Sequence, residues 1–170
     1  MKSNGTHQKA RILYVTQAGL IAALYTVMTC VVGAFGLANG AIQLRVSEAL
    51  CVLPFFVSAA IPGLTVGCLL SNLFLGCIWQ DVVFGTFATL IGALGARCLR
   101  RFPALVPLPT VISNTVIVPF VLAYAYRFEG GLVYFMLTVG IGELLSAYAC
   151  GMVLLLAIKP YANRIFRLHR

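Results

Sequence analysis

The sequence predicts an all-α integral membrane protein, a bundle of six transmembrane helices with both termini on the cytoplasmic side. Composition, the lengths of the apolar runs and the placement of positive charge carry that expectation. Of 170 residues, 61% are hydrophobic and 9% charged. A soluble domain has roughly 45–50% apolar and about 25% charged residues, because its outer face must be wetted. A chain this short has no interior able to absorb so much apolar surface; a bilayer absorbs it instead. Residues 1–170 are accordingly read as a single membrane domain without an appended soluble module.

The elements follow in chain order. A helix rises about 1.5 Å per residue, so roughly 20 apolar residues cross the hydrocarbon. The run 13–34 follows a basic tail and is too long for the core of a signal peptide, which makes it an uncleaved first span. Region 49–79 carries no charge; it is too long for one crossing and short for two. Ile61-Pro62-Gly63 interrupts it, since proline removes a donor and glycine permits positive φ. Splitting there gives spans 46–60 and 62–77, with Pro54 kinking the first. Spans 82–96, 110–126 and 132–158 complete the set, the last long enough to tilt or to extend past the headgroups.

Charge placement tests the split. With six spans, Lys2, Lys9, Arg11, Arg97, Arg100, Arg101, Lys159, Arg164, Arg167 and Arg170 share the side of the termini, leaving Arg45 and Arg127 opposite. That is ten of the twelve basic residues against two; a single crossing over 49–79 lowers the contrast to eight against four. The positive-inside rule selects six spans and cytoplasmic termini, with the cell membrane as the expected location. The net charge of +8 then faces anionic headgroups rather than nucleic acid, for which a basic stripe with interleaved exposed aromatics is missing.

Several chemistries are excluded. The six cysteines form no CxxC, and His7 and His169 lie in opposite tails, so no metal or other cofactor is expected. Lys2, Lys9 and Lys159 are the three lysines and none follows a glycine, which rules out a Walker A loop. With no Ser/His/Asp, HExxH or paired-carboxylate set, the chain is not read as an enzyme. If it transports, it uses a gradient or borrows a motor, and six spans without an evident inverted duplication disfavour a self-sufficient secondary transporter.

Small residues four apart let helices approach closely in lipid. Ala18 with Ala22 and Gly19 with Ala23 form such pairs on the first span, and Gly92 with Ala96 on the fourth. Internal packing and docking to another subunit both remain open from spacing alone.

Polar residues in such a chain cost free energy and therefore point to function. Glu129 beside Arg127 reads as a solvated turn residue. Glu48 follows Arg45 in Gln43-Leu-Arg-Val-Ser-Glu48, either as an i, i+3 pair or as a polar rim receiving a solute from outside. Asp81 opens the fourth span, where an acid suits the helix dipole and can cap amides. Trp79 beside it is an interfacial anchor or a ring for an aromatic ligand. Glu143 lies about a dozen residues into the last span with no nearby base in sequence, so it must be neutralised, paired across helices or turned towards water or ligand. Asn72 and Asn114 are helix–helix hydrogen bonders or ligand contacts.

The run Ala41-Ile-Gln-Leu-Arg-Val-Ser-Glu-Ala-Leu-Cys-Val-Leu-Pro-Phe-Phe56, then Ala60-Ile-Pro-Gly-Leu-Thr-Val-Gly-Cys-Leu-Leu-Ser-Asn-Leu73 and Trp79-Gln-Asp-Val-Val-Phe-Gly-Thr-Phe-Ala-Thr-Leu90, resembles the hallmark segments of the QueT family. The resemblance implies the substrate-binding (S) component of an energy-coupling factor (ECF) transporter. Such a subunit captures a trace nutrient and pairs with a coupling transmembrane subunit and two cytoplasmic ATPase subunits. It further implies that Ala18 and Ala22 dock to the coupling subunit, and that the substrate is a queuosine precursor, a 7-deazaguanine base or queuine. In that setting Glu143, Glu48 and Asp81 are the candidate acids for guanine-type donors, with Trp79 for stacking. Arg45, Asn72 and Asn114 complete the candidate set, and loops around Asn39 and Gly40 are expected to cover the mouth. Two alternatives remain: an S component for another aromatic vitamin-like solute, or a structural membrane subunit without a small ligand.

Overall fold

The computed structural model describes residues 3–35, 45–127 and 131–166, with side chains from residue 7 onward. Asn39, Gly40, Gln43 and Glu129 lie outside the described residues. Helix α1 spans Ser3–Ala34, and a ten-residue 3-10 helix, Val46–Phe55, precedes α2, Ala60–Phe74. Helix α3, Trp79–Cys98, leads through a short 3-10 turn, Pro103–Leu105, into α4, Leu108–Phe120. Helix α4 finishes as a π-helical turn, Val121–Ala125. The last long helix begins as α5, Leu132–Glu143, widens into a π-helical stretch, Leu144–Cys150, and resumes as α6, Gly151–Ile158, before the small α7, Ala162–Ile165. Among the described residues there is no strand.

Among the described residues four helices are long and apolar enough to cross a membrane: His7–Ala34, Trp79–Cys98, Pro103–Ala125 and Leu132–Ile165. Val46–Phe55 and Ala60–Phe74 are shorter apolar helices. The outer surface agrees with a lipid environment, since Val15, Leu20, Val27, Phe84, Phe87 and Leu137 are all more than 45% exposed, far beyond what water tolerates as a continuous surface.

The uncharged region 49–79 divides into two elements, but not at Ile61-Pro62-Gly63. The break falls at residues 56–59, and Pro62 is the third residue of α2. In the first helical turn its missing N–H has no intrahelical partner to lose. Nor does Pro54 kink an α-helix; it lies near the end of a segment that is 3-10 throughout. That geometry rises about 2.0 Å per residue, so ten residues reach about 20 Å where an α-helix would reach about 15 Å. Residues Ser47 through Pro54 are all buried, which makes this segment the central post of the bundle.

Close approaches fix the directions of the helices. A Cβ added at Gly63 would come within 2.8 Å of the Ala18 carbonyl and 3.0 Å of Ile21 Cβ; one at Gly67 would come within 2.8 Å of Tyr25 Cβ and 3.0 Å of the Ala22 carbonyl. Numbers rise together on both helices, so α1 and α2 run parallel, and the 3-10 helix brings the chain back between them. Gly92 and Gly95 of α3 lie against Thr110 and Pro109 of α4, and Gly140 of α5 against Thr115 of α4; these pairs are antiparallel.

The small-residue pairs can now be placed. Ala22 is buried and Ala18 half-buried on the α2 side of α1, whereas Gly19 and Ala23 are exposed. Gly92 and Ala96 are buried inside the bundle. Ala18 and Ala22, which the resemblance assigned to subunit docking, therefore lie at the internal α1–α2 contact, and the outward register of α1 is Gly19 and Ala23.

Gly67→Ala is expected to destabilise the purified protein by about 1–3 kcal/mol, because a backbone carbonyl and the Tyr25 Cβ stand where the methyl would go. Gly19→Ala, whose added Cβ meets nothing within 4 Å, should leave the melting temperature unchanged or slightly higher. Thermal unfolding of both variants in one detergent checks the difference.

Candidate functional site

The polar residues that the sequence singled out are gathered by the fold, with one exception. Arg45, Glu48, Asn72, Asp81, Asn114 and Glu143 are all at most 8% exposed. They come from the 3-10 helix and its entry, and from α2, α3, α4 and α5. Trp79 differs. It is 68% exposed, so its ring lies on the outer surface at the start of α3, where an indole suits the headgroup level, and it does not stack within the buried group.

Pairing inside the group departs from the local expectation. Arg45 does not close on Glu48 as an i, i+3 helical pair; its Nη2 lies 4.0 Å from Asp81 Oδ2 on α3. Asp81 is likewise no cap for its own helix, which has no side-chain cap; its Oδ2 accepts from the Tyr126 hydroxyl at 3.1 Å. Glu48 instead accepts a hydrogen bond from the Tyr25 hydroxyl of α1. One turn along α1, Thr29 donates to the Ser47 hydroxyl at 2.7 Å. The 3-10 helix is thus stitched to α1 by two hydrogen bonds while Arg45, at its entry, holds α3.

Glu143 is paired across helices. Asn114 Nδ2 donates to its Oε1 at 2.9 Å, and Oε2 has no partner among the described residues. The residue closes the twelve-residue α5, about 18 Å along a helix of that length, and so near the middle of a roughly 30 Å hydrocarbon layer. Immediately after it the helix widens into its π stretch. Such π insertions often accompany functional positions because they redirect side chains and free backbone groups. Tyr126 lies at the other π turn, directly after Val121–Ala125.

Further buried atoms lack partners. Among the described residues Asn72 Oδ1 and Arg45 Nε find no partner, and Asn72 Nδ2 makes a long contact to Cys68 Sγ at 3.7 Å. Glu48, Glu143 and Arg45 interact electrostatically, so the two carboxyl groups and the guanidinium share one interior field. Among the described residues the group holds three carboxyl groups and one guanidinium, and that guanidinium is at ion-pair distance from Asp81 alone. Unpaired acceptors and charge without a counter-ion are costly inside a bundle. Their clustering is what a site awaiting a polar ligand requires. Among the described residues no group of three or more His, Cys, Asp or Glu is arranged to hold a metal ion.

A groove of about 520 Å³ runs between α3 and α4, lined by Gln80, Phe84, Ile117, Phe120 and Tyr124 among others. None of the buried polar group lines it, and its walls are almost wholly apolar.

Comparison with known proteins bears on the whole bundle. A model of the QueT transporter family matches residues 15–160. The chain belongs to the QueT transporter family. The queuosine precursor transporter QueT of Lactococcus lactis subsp. cremoris (strain MG1363) is 36% identical over 96 residues, covering 56% of this chain and 56% of that protein. The match thus spans little more than half the length of that curated relative. No solved structure matches.

In this QueT-family bundle, Tyr25, Tyr126, Ser47 and Thr29 are the members of the polar group that sequence reasoning missed. Tyrosines and hydroxyl residues are common in apolar helices, and only the carboxylate each one meets distinguishes Tyr25 and Tyr126. Spacing offered one faint signal, since Tyr25 and Thr29 are four apart on a single face of α1.

Asn114→Ala is expected to destabilise the fold by about 1 kcal/mol or somewhat more, by removing an interhelical hydrogen bond to a buried carboxyl group. Glu143→Gln keeps an acceptor for Asn114 and should stay within about 1 kcal/mol of wild type. Unfolding in mild detergent, followed by intrinsic fluorescence, separates the two.

Proposed function

We propose that this chain is the substrate-capture subunit of an ECF-type importer that takes up a queuosine precursor, a 7-deazaguanine base or queuine. The observation that carries the reading is the set of buried atoms at the polar group that have no partner among the described residues: two acceptors, Glu143 Oε2 and Asn72 Oδ1, and one donor, Arg45 Nε. A guanine-type edge offers the complementary set, adjacent N–H donors beside a carbonyl acceptor. A carboxylate can accept two such donors side by side, and charge-assisted pairs are the stronger ones. The family assignment and the printed function of the Lactococcus relative support the same substrate class.

The charge balance narrows the class further. With Asp81 engaged by Arg45, Glu48 and Glu143 have no cation at ion-pair distance among the described residues. A precursor bearing a protonated aminomethyl group supplies that charge, and a neutral analogue does not. Stacking then falls to a ring other than Trp79, and Tyr25, bonded to Glu48, and Tyr126, bonded to Asp81, are the rings that meet the acids.

Six passes through the cell membrane with both ends cytoplasmic are part of the proposal. Support comes from the parallel α1 and α2, which require a returning segment between them, and from the ten-to-two distribution of basic residues. Energy would come from partner ATPases through a coupling transmembrane subunit, since no lysine follows a glycine in this chain. In this reading the coupling subunit docks on the outward register of α1, at Gly19 and Ala23, which are exposed among the described residues.

In purified protein, an aminomethyl deazaguanine should bind at least tenfold more tightly than its neutral cyano analogue, and Glu143→Gln should weaken the former by tenfold or more. Isothermal titration with both ligands is the measurement. Wild-type affinity in Glu143→Gln, with the fold intact, would remove the bidentate role. Co-purification with a membrane subunit and two ATPases tests the importer; stable isolation with unrelated partners would favour a structural subunit.

A further inference from the structure

At the opposite end of α3 from Asp81, three arginines converge. Arg97, Arg100 and Arg101 line a cleft of about 540 Å³ together with Cys98. Arg97 is held in place from the interior: its Nη1 donates to the Pro54 carbonyl at 2.9 Å and lies 3.5 Å from that of Phe55, at the end of the 3-10 helix. Its charge and that of Arg100 repel one another, and among the described residues no carboxylate comes within ion-pair distance of any of the three. Three of the chain's four acids, Glu48, Asp81 and Glu143, are committed to the buried polar group. The cleft therefore gathers cationic donors that lack a counter-anion.

Its surroundings say where the anion comes from. The cleft sits where a membrane-spanning helix ends. Phe102 and Leu105, 61% and 40% exposed, follow directly in the turn to α4. Apolar side chains at that level enter the acyl region, while long arginine stems carry their guanidinium groups out to the headgroups. Guanidinium groups match phosphate oxygens in geometry and charge.

We propose that Arg97, Arg100 and Arg101 form a binding site for the phosphate headgroup of an anionic phospholipid, with Phe102 and Leu105 against its acyl chains. Arg97 acts as the fixed floor and the exposed Arg100 and Arg101 as the closing arms. A lipid held here bears on the Arg97 contact that fastens the 3-10 helix, and so supports the post on which the polar group is built.

The test uses the full chain in nanodiscs of phosphatidylcholine with and without one-fifth phosphatidylglycerol. Native mass spectrometry counts retained lipid, and thermal unfolding gives stability. The expected result is selective retention of phosphatidylglycerol and a higher melting temperature in its presence. The double variant Arg100→Gln with Arg101→Gln should lower that retention roughly 30-fold, at about the contribution expected for two basic residues near an anionic surface. Both are surface positions, so the variant should fold and keep its melting temperature in pure phosphatidylcholine. Equal retention of the two lipids, undiminished retention in the double variant, or displacement of the lipid by millimolar inorganic phosphate would each overturn the proposal. Arg97→Gln provides a second arm: it should lower the melting temperature even without anionic lipid, because the Pro54 carbonyl loses its donor.

Discussion

Everything in this fold answers to one constraint: a carboxyl group on a buried helix, with no water at hand, must find its partners among neighbouring helices. Glu48 is that group. It is 1% exposed and stands on the 3-10 helix that the rest of the bundle surrounds. Its acceptor is met by Tyr25 of α1. Arg45, one turn away, is drawn to α3 by Asp81, which in turn takes the Tyr126 hydroxyl at the end of α4. Each partner comes from a different helix, so satisfying the buried charges assembles the outer half of the bundle. In lipid, where burial of apolar surface gives little preference among helix arrangements, such directional contacts together with close glycine packing fix the arrangement.

The unusual geometry of the central post follows from the same demand. A ten-residue α-helix would reach about 15 Å and leave either the polar entry or the far end short; the 3-10 form reaches about 20 Å. Long 3-10 runs are normally disfavoured by poorer hydrogen bonds and eclipsed side chains. Here the ends are held from outside the segment. Thr29 bonds Ser47 at one end, and Arg97 bonds the Pro54 carbonyl at the other. Carbonyls at the C-terminal end, which lack partners in any helix, thereby receive a charged donor. A Cβ added at Gly151 would come within 3.1 Å of Val52 Cγ1, so this glycine lets the last long helix close the remaining side.

Much of this was legible in the sequence because membrane insertion leaves coarse marks. Apolar runs marked α1, α3, α4 and the last long helix directly, and the cost of buried polarity picked out Glu48, Asp81, Glu143, Asn72 and Asn114 before any contact was known. What escaped depended on tertiary partners. Arg45 and Glu48 are spaced for a local pair, yet Arg45 stands at the non-helical N-cap of the 3-10 segment, with φ −96° and ψ 87°, so the helical i, i+3 geometry does not apply and its guanidinium reaches Asp81 instead. Proline was read as the break when it only permits the first turn of α2, and the real interruption at residues 56–59 carries no proline or glycine at all. Trp79 resisted reading for another reason: an indole beside an acid suits a ligand mouth and a headgroup layer equally, and only its exposure distinguishes them.

The two small-residue registers of α1 show how one helix can serve two surfaces. Gly63 and Gly67 bring α2 onto the carbonyls of Ala18 and Ala22, and the same contact presses Gly67 against Tyr25. Tyr25 is also the hydrogen-bond donor to Glu48. A change at the polar group that altered the Tyr25 hydroxyl bond would act on α1 at the level where it is most tightly packed. Less than a turn of helix away, Gly19 and Ala23 face outward with nothing against Gly19. A partner lying on that face would sense the position of α1 through backbone contact, not through long side chains that could absorb a small shift. The distance between the polar group and the outer face of α1 is thus spanned by a single helix and one tyrosine, a short enough path for rigid packing to carry a displacement.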